Sequence, residues 1–111
     1  MLNEIFIQTE DQRAILETVR QFVDNEVRPR AAELDAQKDP EDGFSWEIIE
    51  AAHAIGIRTM TLSEEYGGLE LDKASSMLVG EKIAMGGSFS VAFAAHTGIG
   101  TLPLIYYGTA E

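Results

Sequence analysis

Cysteine is absent from the 111 residues, which removes disulfides, a thiol nucleophile and thiolate metal ligation in one step. That composition fits a reducing compartment. No cationic stretch leads into a short apolar segment at the N-terminus to mark a signal peptide, so the chain reads as cytoplasmic. Cations are scarce: eight Lys and Arg against 19 Asp and Glu give a net charge of −11. Such a chain repels phosphate backbones and anionic surfaces, which argues against nucleic acid or an anionic membrane as its partner. It also has too few cations to hold a multiply charged phosphate ligand unaided. Gly67-Gly68 and Gly86-Gly87 lack the spacing and the following lysine or acidic partner of nucleotide-binding loops. Two histidines, His53 and His96, are too far apart in sequence to make a metal site without further ligands, so no metal is expected.

The sharpest absence is local. From Ile83 to Ala110 there is no Asp, Glu, Lys or Arg; every charged residue except Glu111 precedes Ile83. Ser88 stands ahead of this run as a candidate helix N-cap. Phe89, Val91, Ala92, Phe93, Ala94, Ala95, Ile99, Leu102, Leu104 and Ile105 then place apolar groups all around a helix reaching Tyr107, so it is expected to be buried on every side. About 20 apolar residues also suffice to cross a bilayer. His96, Thr97, Gly98, Gly100, Thr101 and Pro103 within the run, with no Lys or Arg at its ends, argue against a membrane span.

Upstream, the chain reads as a series of punctuated helices. Met1 to Gln8, with Leu2, Ile5, Phe6 and Ile7, is too short to assign by pattern and is expected as a lead-in that packs on the next helix. Thr9 with Gln12 spells a capping box, and Glu10 and Asp11 suit the positive end of the helix dipole. Ile15, Val19, Phe22, Val23 and Val27 follow at helical spacing, with Glu17, Arg20, Gln21 and Asp24 facing away. Pro29 predicts a stop or kink near Val27 or Arg28, with another turn or two from Ala31 to Gln37. Lys38 to Gly43 is a polar loop.

Ser45 then caps a second helix through Trp46, Ile48, Ile49, Ala52 and Ile55, and Gly56 ends it. His53 on this helix is an ordinary, partly exposed side chain. The helical pattern lapses from Ile57 to Leu71, where Tyr66-Gly67-Gly68 offers the positive-φ positions of a tight turn. A third helix starts after Asp72 with Ala74, Met77, Leu78 and Ile83 on its apolar side, and Gly86 and Gly87 end it. The apolar helix comes fourth. The expected fold is all-α, a packed bundle of about four principal helices.

Catalytic chemistry is not visible in the residues. Glu64 and Glu65 are neighbours on a loop and do not converge on one point. His96 is expected to be a buried histidine satisfied by a backbone carbonyl rather than a base. Side-chain size around the fourth helix is more informative. At about 100° per residue, Val91, Ala92, Ala95 and Ile99 share one quadrant, while Phe89, Phe93 and Leu104 gather opposite, with Gly100. A small-residue face admits close approach by another helix or by an apolar ligand. Spacing leaves both open.

The order of short motifs resembles the N-terminal helical domain of the acyl-CoA dehydrogenase family. They are Thr9-Glu10-Asp11-Gln12; Phe22-Val23-Asp24-Asn25-Glu26-Val27 with Pro29 beyond; Gly56-Ile57; Glu64-Glu65-Tyr66-Gly67-Gly68; Glu81-Lys82-Ile83-Ala84; and Ser88 through His96 to Gly108-Thr109-Ala110-Glu111. None is specific alone, but they keep the family's order with similar gaps from Thr9 onward. Ser63 departs from the pattern, standing where many members carry a proline.

The resemblance implies a flavin-dependent enzyme of fatty acid metabolism that oxidises an acyl-CoA thioester to the enoyl-CoA. A base takes the α-proton, the β-hydrogen passes as hydride to FAD, and electrons usually go to an electron-transferring flavoprotein. It implies that residues 1–111 are the first helical domain, with a central β-domain and a C-terminal helical domain lying outside this chain. The complete enzyme is expected to be a homo-oligomer, usually a tetramer. Val91, Ala92, Ala95 and Ile99 match positions that line the acyl pocket, whereas the catalytic base and most FAD and CoA contacts match later parts of the family's chain. The expected role here is therefore one wall of the acyl-binding pocket, with no catalytic residue in the segment and no activity from it alone. An acyl-CoA oxidase or flavin monooxygenase on the same scaffold, or a non-catalytic helical interaction domain, are the alternatives.

Overall fold

A capping box opens the first helix: the Thr9 hydroxyl accepts from the Gln12 N–H, and the Gln12 side chain accepts from the Thr9 N–H. The computed structural model describes residues 9–39 and 41–111; the lead-in expected over Met1–Gln8 lies outside them. Helix α1, Glu10–Phe22, runs through a π-type turn, Val23–Val27, into α2, Arg28–Asp35. Pro29 accounts for the turn. It has no N–H and its ring crowds the carbonyl four residues back, and the backbone widens just ahead of it, with the Arg28 N–H donating to the Val23 carbonyl. The predicted kink is thus a widened turn, and the helix continues beyond it.

Helix α3, Trp46–Ala54, begins at Ser45, whose hydroxyl accepts from the Ile48 N–H, and ends at Gly56 in the left-handed region (φ 86°). Two short 3₁₀ turns follow, Ile57–Thr59 and Glu64–Tyr66. The chain beyond the second turn folds back on the segment between them: the N–H groups of Leu69, Glu70 and Leu71 donate to the carbonyls of Thr59, Leu62 and Met60. Gly67 has the expected positive φ of 83°, but Gly68 does not. Gly68 is required by space instead, because a Cβ there would lie 2.1 Å from the Leu62 carbonyl oxygen.

Helix α4, Lys73–Ile83, is capped by the Asp72 carboxylate, which accepts from the Ser75 N–H. Its inward face is Ser75, Leu78, Val79 and Ile83, while Met77 is 71% exposed and Ala74 faces solvent. Leu78 and Ile83 face inward as the sequence reading expected, while Ser75 and Val79 take the inward places it gave to Ala74 and Met77. A serine can serve as a core position here because its hydroxyl accepts from the Gln12 side-chain amide at 2.9 Å. A further 3₁₀ turn, Ala84–Gly86, leads to the apolar segment: α5 (Ser88–Ala94), a second π-type turn (Ala95–Gly100) and α6 (Leu102–Tyr107). Ser88 is not its cap; the Ser88 hydroxyl donates to the Asp35 carboxylate at the end of α2.

These elements make an all-α fold of four principal helical segments: α1–α2, α3, α4 and α5–α6. One core joins them through Leu16, Val19, Phe22 and Val27 of the first, Ile48 and Ala52 of α3, Leu78, Val79 and Ile83 of α4, and Phe93 of α5. Burying each of these side chains other than Ala52 contributes about 1.5–3 kcal/mol. The assembly is a slab, 41 × 38 × 21 Å. Within it, the apolar segment lies at an open face: only Phe93 and Thr97 between Ser88 and Tyr107 are buried, contrary to the burial on all sides that its composition called for.

Candidate functional site

The exposed side of the apolar segment is not flat. Helix α5 packs on α4, but Ser76 and Gly80 on α4 are too small to fill the space between them. They leave an open hollow of about 700 Å³. Val91, Ala95 and Ile99 form its far wall, and Met60 and Ile83 lie at its core side. Val91 is 71% and Ile99 84% exposed, so nothing among the described residues covers this wall.

Three of the four sequence candidates are therefore brought together. Ala92 is not with them: half-buried, it lines a separate cleft of about 180 Å³ with Val27, Leu34, Phe44 and Phe89. The bulky side of the helix is divided as well. Phe89 and Phe93 stack toward the core with ring centres 5.9 Å apart, and Phe89 meets Phe22 edge-on at 6.0 Å. Leu104, expected beside them, is 71% exposed beyond the second π-type turn.

That turn shapes the middle of the hollow. Pro103 requires a break in the ladder upstream; the Thr101 hydroxyl donates to the His96 carbonyl and the Thr97 hydroxyl to the Phe93 carbonyl, so side chains satisfy the loosened backbone. The His96 ring was expected in the interior but is exposed, and its Nε2 accepts from the Arg58 Nε at 3.2 Å. A second hollow of about 320 Å³ adjoins the first across this turn. It shares Met60, Ser76, Thr97 and Gly98 and extends to Leu102, Tyr106 and Lys73.

Sequence reasoning missed Met60, Ser76 and Gly80. A signal was present in the four-residue spacing of Ser76, Gly80 and Ala84, a smooth stripe along α4 and the start of the following 3₁₀ turn that faces the smooth quadrant of α5.

The lining of the larger hollow has no ionisable side chain. It can exclude water and shape an apolar group, and it offers no proton acceptor. Among the described residues no three His, Asp or Glu side chains gather to hold a metal. A phosphorylated cofactor such as FAD needs cations or converging N–H donors for its pyrophosphate. This lining has no cation, so these residues do not by themselves form an FAD site. His53, on the exposed surface of α3, lines neither hollow.

Residues 9–111 match the family described as "Acyl-CoA dehydrogenase, N-terminal domain". The chain belongs to this family. Curated relatives agree. A "Probable acyl-CoA dehydrogenase" of Bacillus subtilis (strain 168) is 35% identical over 103 residues, covering 93% of this chain and 17% of that protein. An "Acyl-CoA dehydrogenase, short-chain specific" of Clostridium acetobutylicum is 31% identical over 107 residues, 96% of this chain and 27% of that protein. A third, "Acyl-CoA dehydrogenase" of Bacillus subtilis (strain 168), is 30% identical over 104 residues, 93% of this chain and 26% of that protein. The chain thus spans about a quarter or less of the length of these relatives. No solved structure gives a significant match. By length and composition alone, the 20-residue Ser88–Tyr107 segment is also a candidate membrane span, with a mean hydropathy of 1.3 over an 18-residue stretch.

Proposed function

We propose that this acyl-CoA dehydrogenase-family domain supplies one wall of an acyl-binding pocket in an FAD-dependent enzyme that converts an acyl-CoA thioester to the α,β-enoyl-CoA. The observation that carries the reading is the open hollow between α4 and α5: about 700 Å³, lined by small and apolar side chains, and free of ionisable groups. That volume is within the range of small-molecule pockets. An apolar acyl group seated there loses contact with water and rotational freedom, and both favour reaction at a carbon held in place.

FAD, held by parts of the enzyme outside this chain, is the hydride acceptor in this reading, and the base that removes the α-proton also lies outside it. Val91, Ala95 and Ile99 contribute contact with the acyl chain. Ala92, turned toward the other cleft, contributes to the pocket only through the packing of α5. The remaining domains cover the exposed face of α5 and α6, which makes the span-length apolar segment an interior helix of the complete protein. An electron-transferring flavoprotein as the electron acceptor, a tetrameric assembly and a cytoplasmic location complete the proposal.

The test is purification of the full-length protein from its source, with its mass, visible spectrum and activity on acyl-CoA substrates. A bound yellow flavin and enoyl-CoA formation with an artificial electron acceptor support the reading; a colourless protein inactive on every acyl-CoA overturns it. Oxygen consumption coupled to substrate oxidation would instead place the protein among oxidases on the same scaffold.

A further inference from the structure

Gly80 is the eighth of the eleven residues of α4, a position where glycine is unfavourable because it gives up more backbone freedom than any other residue. Three ordinary reasons for a glycine fail here. Its φ is not positive, unlike those of Gly56, Gly67 and Gly87. Among the described residues nothing beyond its own helix backbone and chain neighbours approaches it: a Cβ built at Gly80 meets no other atom within 4 Å, in contrast to Gly86, where a Cβ would lie 2.8 Å from Val27 Cγ1. Nor does Gly80 end the helix, which continues to Ile83. What it does border is the hollow, opposite Val91 and Ala95. Gly98 on the other wall is also open at Cβ, but it sits in the π-type turn, where irregular backbone offers a separate reason for glycine.

We infer that Gly80 is a specificity-determining residue, setting the width of the hollow and hence the size of the acyl group that enters it. This rests on the acyl-pocket reading of the same site. Ser76 on α4 and Ala84 just beyond its end, about one turn to either side, border the hollow with side chains scarcely larger, so a substituent at Gly80 projects between them into open space. Any side chain there fills volume that an acyl chain would occupy, without disturbing the core on the other face of α4.

The experiment uses the full-length holoenzyme and compares wild type, Gly80→Ala and Gly80→Leu for kcat/KM over a series from butyryl-CoA to palmitoyl-CoA. The leucine variant is expected to lose about tenfold or more on the longest substrates, in line with the discrimination a hydrophobic pocket gives per methylene, with a smaller loss on butyryl-CoA and an unaltered flavin spectrum. The alanine variant is expected to shift the same way by less, with a raised Tm because alanine is favoured in a helix interior. An unchanged chain-length profile in both variants overturns the inference. So does a lowered Tm for Gly80→Ala, which would make the glycine a folding requirement. A wild-type enzyme inactive on the whole series overturns the acyl-CoA reading itself, and the two failures are told apart by the wild-type assay alone.

Discussion

The Gln12 side chain donates to the Ser75 hydroxyl at 2.9 Å while its carbonyl oxygen accepts from the Thr9 N–H at 3.0 Å, so one residue closes the cap of α1 and ties it to α4. Substituting Gln12→Ala removes both bonds and leaves Ser75, buried at 7% exposure, without its donor. The expected loss is roughly 1–3 kcal/mol, a cap contribution plus an unsatisfied buried hydroxyl. The midpoint of urea unfolding checks it, and the Gln12→Ala/Ser75→Ala double variant should recover part of the loss.

Gly86 and Val27 define a contact that admits no larger residue. A Cβ at Gly86 would stand 2.8 Å from Val27 Cγ1, and Val27 is β-branched and fully buried, so it cannot turn aside. Gly86→Ala should destabilise by about 1–3 kcal/mol. Combining it with Val27→Ala should cost less than the sum of the two single changes, as thermal unfolding of all four species would show.

Ser63 already has the backbone of a proline, with φ −64° and ψ 154°. Its hydroxyl is buried without a hydrogen-bond partner among the described residues. Ser63→Pro should therefore stabilise the loop ahead of Tyr66, by roughly 0.4–1 kcal/mol through the unfolded chain. A raised Tm checks the expectation; a lowered one would mean that the preceding Leu62 cannot accept a following proline.

Glu17 is held at a pKa of about 2, below the ordinary 4.5, by hydrogen bonds from the Arg20 guanidinium and then from the Gln21 amide. Because the folded value is depressed, the ionised form is the one the fold favours. Its contribution is fully present above pH 4.5 and is lost as pH falls from 4.5 toward 2. The pair is exposed to solvent, so salt should weaken it. A carboxyl titration followed by NMR should show the Glu17 midpoint rising toward 4.5 in Arg20→Ala.

Ala95 faces the hollow with no covering residue among those described, so Ala95→Phe in the complete enzyme would fill the pocket from the wall at the end of α5. Preference should move toward shorter acyl groups, with a rise in KM for long substrates and little change for short ones. Steady-state kinetics over an acyl-CoA series reads the shift, and identical profiles would count against the pocket assignment.

The local hydrogen-bonding signals were legible in the chain itself. Thr9 and Gln12, Ser45, Asp72 and Gly56 start or stop helices where their side chains or their conformational freedom dictate, because a cap is a contact between residues three apart. The all-α architecture and the charge-free run from Ile83 to Ala110 were equally plain.

Which stripe of each helix turns inward was decided only by its neighbours. Ser75 displaced Met77 from the core because Gln12, 63 residues away in sequence, supplied its hydrogen bond. Ser88 found Asp35 rather than its own helix end. Val91 and Ala92, about 100° apart on an ideal helix, line different hollows because α4 lies on one side and the end of α2 with the following loop on the other. Period and composition say that a helix has a smooth face; only the packing of other segments against it says whether that face is filled, and between α4 and α5 it is left open.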